Sequence, residues 1–233
     1  FVNSVAELES AELIIIPGSK NTLYDLRFLH QNGFAEKLKQ LSGRVWILGI
    51  CGGFQMLGEK VDDPLNMESS GVTRDSRESG TSGKLSALEK YAGSGNSTVM
   101  NSEAGLGLLP MTTVLEGDKK LVRREYQGQN WLAGLNWTGY EIHLGRTEFK
   151  SSPLEALVKD DPELAVIEHK QKVIGTYIHG WLESPEVTQK ILSLLSTETF
   201  DIPFSFLETK EREMDELALF LEEHCEVEEI LRN

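Results

Sequence analysis

The chain has 233 residues, of which 39% are hydrophobic, so it is long enough to bury the core of one α/β domain. Its formal net charge of −14 disfavours binding to nucleic acid or to an anionic membrane surface, because both carry negative charge. The two cysteines, Cys51 and Cys225, lie far apart, and no apolar run reaches the ~18 residues that span a bilayer. We therefore expect a cytoplasmic protein with no disulfide framework and no signal peptide.

The first sixty residues alternate between apolar strands and amphipathic helices. An aliphatic run at 12–17 predicts a buried strand that ends in a tight loop, and a second apolar run spans 44–50. Helices are predicted at 21–30, 34–41 and 52–59. Two strand–helix units in succession predict an α/β fold with a doubly wound, mostly parallel sheet and helices on both faces.

The rest of the chain is less regular. Residues 68–104 are rich in Ser and Gly and predict a long surface excursion, with a short helix at 85–91. Ser184-Pro185 is a typical helix start, and that helix is predicted to run to about Ser196. Short strands are predicted at 111–115, 140–143, 164–168 and 172–178. We expect one domain over residues 1–200, followed by a linker and an acidic helix (210–231) over 201–233.

Cys51 lies where a predicted buried strand meets a predicted helix, and Gly52-Gly53 follows it directly. A sharp turn at such a junction presents a side chain at the edge of the sheet, as in nucleophile elbows. The helix N-terminus lowers the pKa of a thiol and offers N–H groups to a developing oxyanion. Local context alone is equally consistent with a small buried core cysteine.

A cysteine nucleophile needs a base, and the chain has five histidines. His30 and His224 lie in predicted helices, and His169 ends a charged strand edge, so all three are interpreted as structural or solvated. His179 follows a strand that should end at the same sheet edge as Cys51, and it is the better candidate for the base.

Four motifs resemble the amidotransferase domain of the cobyric acid synthases, and they occur in the family's order from about Ala11 to Leu195. Gly49-Ile-Cys51-Gly-Gly53-Phe-Gln55 matches the G-x-C-x-G-x-Q signature of class I glutamine amidotransferases. The other three are the runs 17–22, 139–147 and 175–180. The resemblance implies a flavodoxin-like class I amidotransferase fold.

The resemblance also implies roles for single residues. Cys51 would be the nucleophile and His179 its base. The backbone at Gly18, Ser19 and Gly52 would bind the oxyanion, and Gln55 would shape the glutamine pocket. Tyr140, His143 and Arg146 would lie at the mouth of the site, and for His143 a structural hydrogen-bonded role is equally open. No metal site is expected.

Cobyric acid synthases join this domain to an N-terminal ATP-dependent synthetase domain. This chain carries no P-loop and begins at Phe1, so we expect it to be a C-terminal part of a longer chain or a separate subunit. The partners implied are glutamine, the synthetase with its ATP and Mg²⁺, and a corrinoid acceptor, adenosylcobyrinic acid a,c-diamide. We expect no cofactor in this chain itself.

Two features depart from the usual pattern of class I amidotransferases. Many of those enzymes have Glu two residues after the histidine, whereas this chain has Trp181 there; the cobyric acid synthase branch also lacks that Glu, and what orients His179 stays open. The segment from Arg74 to Glu103 also looks longer than the usual loop.

Three alternatives stay open from the sequence. The chain could serve a different synthetase, such as the enzyme that amidates lipid II or cobyrinic acid a,c-diamide synthase. It could be a cysteine hydrolase without a partner. It could also be a catalytically idle domain that binds or regulates a partner.

Overall fold

The computed structural model describes residues 1–68, 101–117, 120–150, 154–198, 202 and 206–225. The strands in chain order are β1 (Leu13–Ile16), β2 (Trp46–Ile50), β3 (Lys60–Asp63), β4 (Asn101–Ala104), β5 (Met111–Val114), β6 (Lys120–Gln127), β7 (Asn136–His143), β8 (Arg146–Phe149), β9 (Glu155–Ala156), β10 (Ala165–Glu168), β11 (Val173–Thr176) and β12 (Ile178–His179). The helices are α1 (Thr22–Gln31), α2 (Phe34–Leu41), α3 (Gly52–Leu57), α4 (Pro185–Leu192) and α5 (Phe206–His224).

The central sheet has the order β1-β2-β11-β10-β9. Strands β1, β2 and β11 are parallel, whereas β10 and β9 run antiparallel to their neighbours. The four residues from Trp46 to Gly49 of β2 are buried, as expected for a strand covered on both faces. The strands predicted at 12–17, 44–50 and 164–168 are confirmed, with ends shifted by one or two residues.

Two smaller sheets complete the fold: one has the order β4-β3-β5-β8 and the other β12-β7-β6. The α/β class is confirmed, but parallel pairing among the described strands is confined to β1–β2–β11 and β3–β5. The prediction of a mostly parallel sheet is corrected to a set of mixed sheets. Strands β3, β4, β6, β8 and β9 were not predicted, because their sequences are polar, charged or very short and lack a continuous apolar run; β4 corrects the end of the predicted 68–104 excursion, which pairs with β3.

Helix α3 packs against β2 and β11 at very short range, and glycines make this possible. A methyl group on Gly53 would overlap the carbonyl oxygen of Ile16, and one on Gly49 would lie 2.7 Å from the carbonyl oxygen of Gly53. Gly175 of β11 lies opposite Gly49 in the register, and a methyl group there would overlap the ring of Phe54. All six residues of α3 are buried, so the helix is part of the core.

The predicted helix 184–196 is confirmed in shorter form. Ser184 caps α4, with its side chain accepting a hydrogen bond from Val187 N at 3.4 Å, and Pro185 is the first helical residue. Val187 and Ile191 face the core.

Helix α5 covers much of the predicted 210–231 segment but leaves its apolar stripe exposed, with Met214 58%, Leu217 49% and Leu221 41% accessible. The predicted helix at 85–91, most of the 68–104 excursion, most of the linker and the end of the last helix lie outside the described residues. No helix among the described residues is long and apolar enough to cross a membrane.

Candidate active site

Cys51 occupies the turn between β2 and α3, with φ 54° and ψ −110°. A positive φ is unusual for a residue with a side chain, and such strain persists only where the surroundings enforce it. Here the backbone N–H of Cys51 donates to Thr176 O at 2.8 Å, and its carbonyl accepts from Gln55 N at 3.1 Å. The backbone therefore fixes the sulfur at the C-terminal edge of the central sheet, as the elbow prediction requires.

Gly18 lies beside both candidate catalytic side chains. A methyl group placed on Gly18 would lie 3.6 Å from Cys51 Cβ and 3.8 Å from His179 Cε1. His179 ends β12, directly after the strand that neighbours β2. The structure thus brings together the two residues that the sequence nominated as nucleophile and base.

The loop after β1 and the start of α3 also meet closely. A methyl group on Gly52 would lie 2.8 Å from Ser19 N, so the two backbone amides are neighbours at the turn that carries Cys51. Ser19 is fixed by its hydroxyl, which donates to Asp25 Oδ2 at 2.5 Å and accepts from Asn21 N at 2.9 Å. Two adjacent amides at a helix N-terminus can stabilise a developing oxyanion.

A cavity of about 370 Å³ opens over Cys51. Gln55 forms part of its wall: its side chain is 3% exposed and donates from Nε2 to Leu144 O at 2.9 Å. The described residues that line it are Ser19, Lys20, Thr22, Cys51, Gly52, Gln55, Met67, Glu68, Leu115, Ile142, His143 and Leu144. A cavity of this size accommodates a free amino acid such as glutamine.

The opposite wall of the cavity comes from β7 and the turn after it. The Cys51 thiol donates to Ile142 O at 3.1 Å, so strand β7 touches the sulfur directly. His143 stacks on Tyr177 with ring centroids 4.1 Å apart. Burial raises the pKa of Tyr177, and its hydroxyl is hydrogen-bonded to Thr147.

A buried carboxylate lies behind this wall. Glu141 is fully buried, and its oxygens lie 3.6 Å from His143 Nε2 and 3.3 Å from Arg124 Nη2. Tyr126 donates to it at 3.2 Å. Burial raises the pKa of Tyr126, and the neighbouring Glu141 carboxylate raises it further. The sequence analysis missed Glu141, Ile142 and Tyr177, although the first two lie inside the 139–147 motif.

Two further carboxylates, also missed, lie at or next to the cavity: Glu68 lines it and Asp63 holds the segment that carries Glu68. Glu68 accepts hydrogen bonds from Thr22 N at 2.8 Å and Leu23 N at 3.1 Å, so it holds the N-terminus of α1. Asp63, which is 1% exposed, accepts from Met67 N and Glu68 N. These contacts tie the segment after β3 to the Cys51 cavity.

The three residues expected at the mouth of the site occupy different places. His143 lines the cavity, whereas Tyr140 is not among the lining residues and has its ring stacked on that of His179. Arg146 is on β8 with its side chain 68% exposed and paired with Glu148 at 2.6 Å; it is not among the residues lining the cavity. Within the described segments, no group of three or more His, Cys, Asp or Glu residues could hold a metal ion.

The comparison with protein families decides the classification. Residues 1–187 match the model of the CobB/CobQ-like glutamine amidotransferase domain. The chain belongs to this family. Its α/β fold agrees with that of a solved protein described as a glutamine amidotransferase, with a TM-score of 0.53 at 13% identity over 84% of this chain and 85% of that one.

Several curated relatives of the chain are cobyric acid synthases. The chain is 32% identical to a cobyric acid synthase of Parabacteroides distasonis and 31% identical to one of Geobacillus sp., in each case over 99% of this chain. A cobyric acid synthase of Desulfitobacterium hafniense is 32% identical over the same share. The chain spans about two-fifths of the length of these relatives, 41% in each case, and corresponds to their C-terminal part.

Proposed function

We propose that this chain is the glutamine-hydrolysing part of a cobyric acid synthase. One observation carries the proposal: the side chains of Cys51, on a strained strand–helix turn, and of His179 both lie beside Gly18. A thiol nucleophile with an imidazole beside it is the arrangement that cleaves amides through a covalent intermediate. The family membership and the free cavity over the sulfur support glutamine as the amide.

In the proposed first step, the Cys51 thiolate attacks the side-chain carboxamide carbon of glutamine. The C=O bond opens to a tetrahedral oxyanion, which the backbone N–H groups of Ser19 and Gly52 stabilise. The close approach of these two amides supports this role. The start of α3 adds the positive end of its dipole, although at six residues the helix is short.

His179 takes the thiol proton as the thiolate forms and gives it to the departing nitrogen, so ammonia leaves as the C–N bond breaks. The product is a γ-glutamyl thioester on Cys51. His179 then removes a proton from water, the hydroxide attacks the thioester, and glutamate departs as the thiolate is restored.

We propose that the ammonia is used by an ATP- and Mg²⁺-dependent synthetase part, which this chain does not contain. There it would amidate carboxylates of adenosylcobyrinic acid a,c-diamide, a step of cobalamin biosynthesis. The support is the name and greater length of the curated relatives, all cobyric acid synthases of which this chain covers 41%.

The test of the nucleophile compares glutamate release by the wild type, Cys51→Ser and Cys225→Ser. Cys225 is exposed near the end of α5 and provides a matched control. We expect Cys51→Ser to lose glutaminase activity by ~1,000-fold or more, and Cys225→Ser to keep it. Mass spectrometry after a glutamine-mimicking electrophile should place the label on Cys51. Turnover that survives Cys51→Ser, or a label elsewhere, would refute the mechanism.

The acceptor is tested by adding the synthetase part of a related cobyric acid synthase, with ATP, Mg²⁺ and glutamine. Amidation of adenosylcobyrinic acid a,c-diamide that depends on glutamine and on Cys51 is expected. Amidation of cobyrinic acid or of lipid II instead would assign the chain to a different synthetase. A chain that binds the synthetase but releases no glutamate would be a non-catalytic partner.

A further inference from the structure

We propose that Tyr140 is a positioning residue for the imidazole of His179 and that it acts through its ring face. This inference rests on the proposed function, because it assigns a positioning residue to the same reaction. His179 and Tyr140 are cross-strand partners in the antiparallel β7–β12 pair. Side chains of such partners stand on the same face of the sheet, so the two rings must meet.

The rings meet in a defined geometry. Their centroids are 5.2 Å apart and their planes are inclined by only 8°. This separation is within the range of stacked aromatic pairs, whose attraction adds to the area they bury. A flat contact of this kind restricts rotation of the imidazole about χ2, which is the rotation that would turn its nitrogens away from Cys51.

The backbone brings the two rings this close. A methyl group on Gly139 would lie 2.7 Å from His179 O, so β12 can approach β7 only because residue 139 has no side chain. Strand β12 has just two residues and pairs with β7 alone among the described strands. The strand pairing of His179 is therefore made with β7, the strand that carries Tyr140.

Tyr140 is itself well held, as a positioning residue must be. It lies in the middle strand of the β12-β7-β6 sheet, opposite Arg123 on β6 and His179 on β12. Pairing on both sides fixes its backbone.

Trp181 occupies the position where many class I amidotransferases have Glu, and in this chain it has a structural role. Trp181 is 1% exposed, and its ring lies 6.4 Å from that of Trp137, within the core. It anchors the chain after β12 by burial.

Tyr140 also lines a second cleft, of about 530 Å³, that shares no lining residue with the Cys51 cavity. Gly139, Tyr140, Gly180 and Glu183 are among its lining residues, whereas His179 is not. Gly139 and Gly180, which flank Tyr140 and His179 in sequence, contribute no side chain to this wall. Loss of the ring would give the imidazole room to swing towards the cleft.

The experiment measures kcat and KM for glutamine hydrolysis in the wild type and in Tyr140→Phe, Tyr140→Leu and Phe28→Leu. Phe28 stacks on Phe34 at 6.0 Å on the surface of α1, so Phe28→Leu removes a stacked ring elsewhere and is the matched control. We expect Tyr140→Leu to lower kcat by about 100-fold with KM changed less than about twofold, because a misplaced base affects the chemical step. Tyr140→Phe keeps the ring and should stay within about threefold of the wild type.

Two results would overturn the inference. The first is a Tyr140→Leu enzyme with kcat near that of the wild type. The second is a Tyr140→Phe enzyme as impaired as Tyr140→Leu, which would assign the role to the hydroxyl. If Tyr140→Leu lowers the melting temperature below the assay range, Tyr140→Trp, which keeps an aromatic face, decides the matter: it should retain kcat. A wild-type chain without glutaminase activity would count against the proposed function instead.

Discussion

The proposed nucleophile, Cys51, and the proposed base, His179, are held in two different ways. Cys51 is held by main-chain contacts: a positive φ, hydrogen bonds to Thr176 and Gln55, and a buried helix packed onto glycines. His179 is held at the end of a two-residue strand by the ring of Tyr140 and by the close approach of β7. The nucleophile side (Cys51 with β2 and α3) thus belongs to the central sheet, whereas the base side (His179 with β12) lies on an edge strand of the smaller β12-β7-β6 sheet.

This difference predicts how the two sides respond to mutation. Changes on the nucleophile side should disturb folding and activity together, because the turn and the core share the same atoms. Changes on the base side should lower activity at a smaller cost in stability, because a short edge strand can shift without disrupting the central sheet.

The largest loss of stability is expected from Gly53→Ala. Its methyl group would overlap the Ile16 carbonyl oxygen, and neither α3 nor β1 can move freely, so we expect a loss of about 3 kcal/mol in unfolding free energy. Urea denaturation measures it. Gly18→Ala adds the same atom where the nearest neighbour is 3.6 Å away, and it should change stability by less than about 1 kcal/mol. Equal losses in both variants would contradict the comparison.

Gly139→Ala tests the base side. The added methyl group would lie 2.7 Å from His179 O and should push β12 away from β7. We expect a loss of about 1 kcal/mol in stability, at the low end for overpacking, together with a fall in glutaminase kcat of at least ~10-fold. The measurement is paired denaturation and steady-state kinetics. A variant that loses stability as Gly53→Ala does, with unchanged kcat per folded molecule, would refute the distinction.

Tyr177→Phe should change how the unfolding free energy of the protein depends on pH. The pKa of Tyr177 is raised by burial, so the folded state favours the neutral phenol. The resulting stabilisation is present below the unfolded pKa of about 10 and is lost as pH rises above it. Unfolding free energies between pH 8 and about 11 should therefore fall less steeply in Tyr177→Phe than in the wild type.

At neutral pH the same variant should be less stable by about 1 kcal/mol, because the hydrogen bond to Thr147 is lost. Tyr24→Phe, at an exposed tyrosine on α1, is the control and should follow the wild type at every pH. Parallel pH profiles for Tyr177→Phe and the wild type would show that Tyr177 does not contribute to alkaline unfolding.

The smallest effect is expected in α5, which belongs to neither side of the site. Leu217 is 49% exposed, so Leu217→Ser should change the unfolding free energy by less than about 0.5 kcal/mol and leave glutaminase kcat unchanged. Thermal unfolding and kinetics check both. A destabilisation above about 1.5 kcal/mol would show that α5 buries this face in solution.

The strand, turn and helix that carry Cys51 could be predicted from the sequence, because the residues that form them are adjacent in the chain. Two apolar runs, a Pro-Gly turn and the Cys-Gly-Gly junction specify strand, loop and helix within sixty residues. The helix predicted at 34–41 agrees with α2 to the residue.

The base side could be predicted only in part. His179 was recognised as a strand end, but its contact with Tyr140 depends on the register of two strands almost forty residues apart. The contact between Cys51 and the Ile142 carbonyl could not be predicted, because it is made by a main-chain atom that every residue type has. Strand β6 has the sequence Lys-Leu-Val-Arg-Arg-Glu-Tyr-Gln. It lies at the edge of its sheet, where a strand can be polar, so the sequence lacks the apolar pattern that predicts a strand.

The two glycines that lie abreast in β2 and β11 have a consequence for sequence variation among relatives. Gly49 and Gly175 form a notch that holds Gly53, Phe54 and Leu57 of α3. A relative that acquires a side chain at 175 must carry a smaller residue at 54, and one that changes 49 must adjust 57 as well as the helix backbone. These positions should therefore change together or not at all, so sequences of this family should show coupled substitutions beneath Cys51.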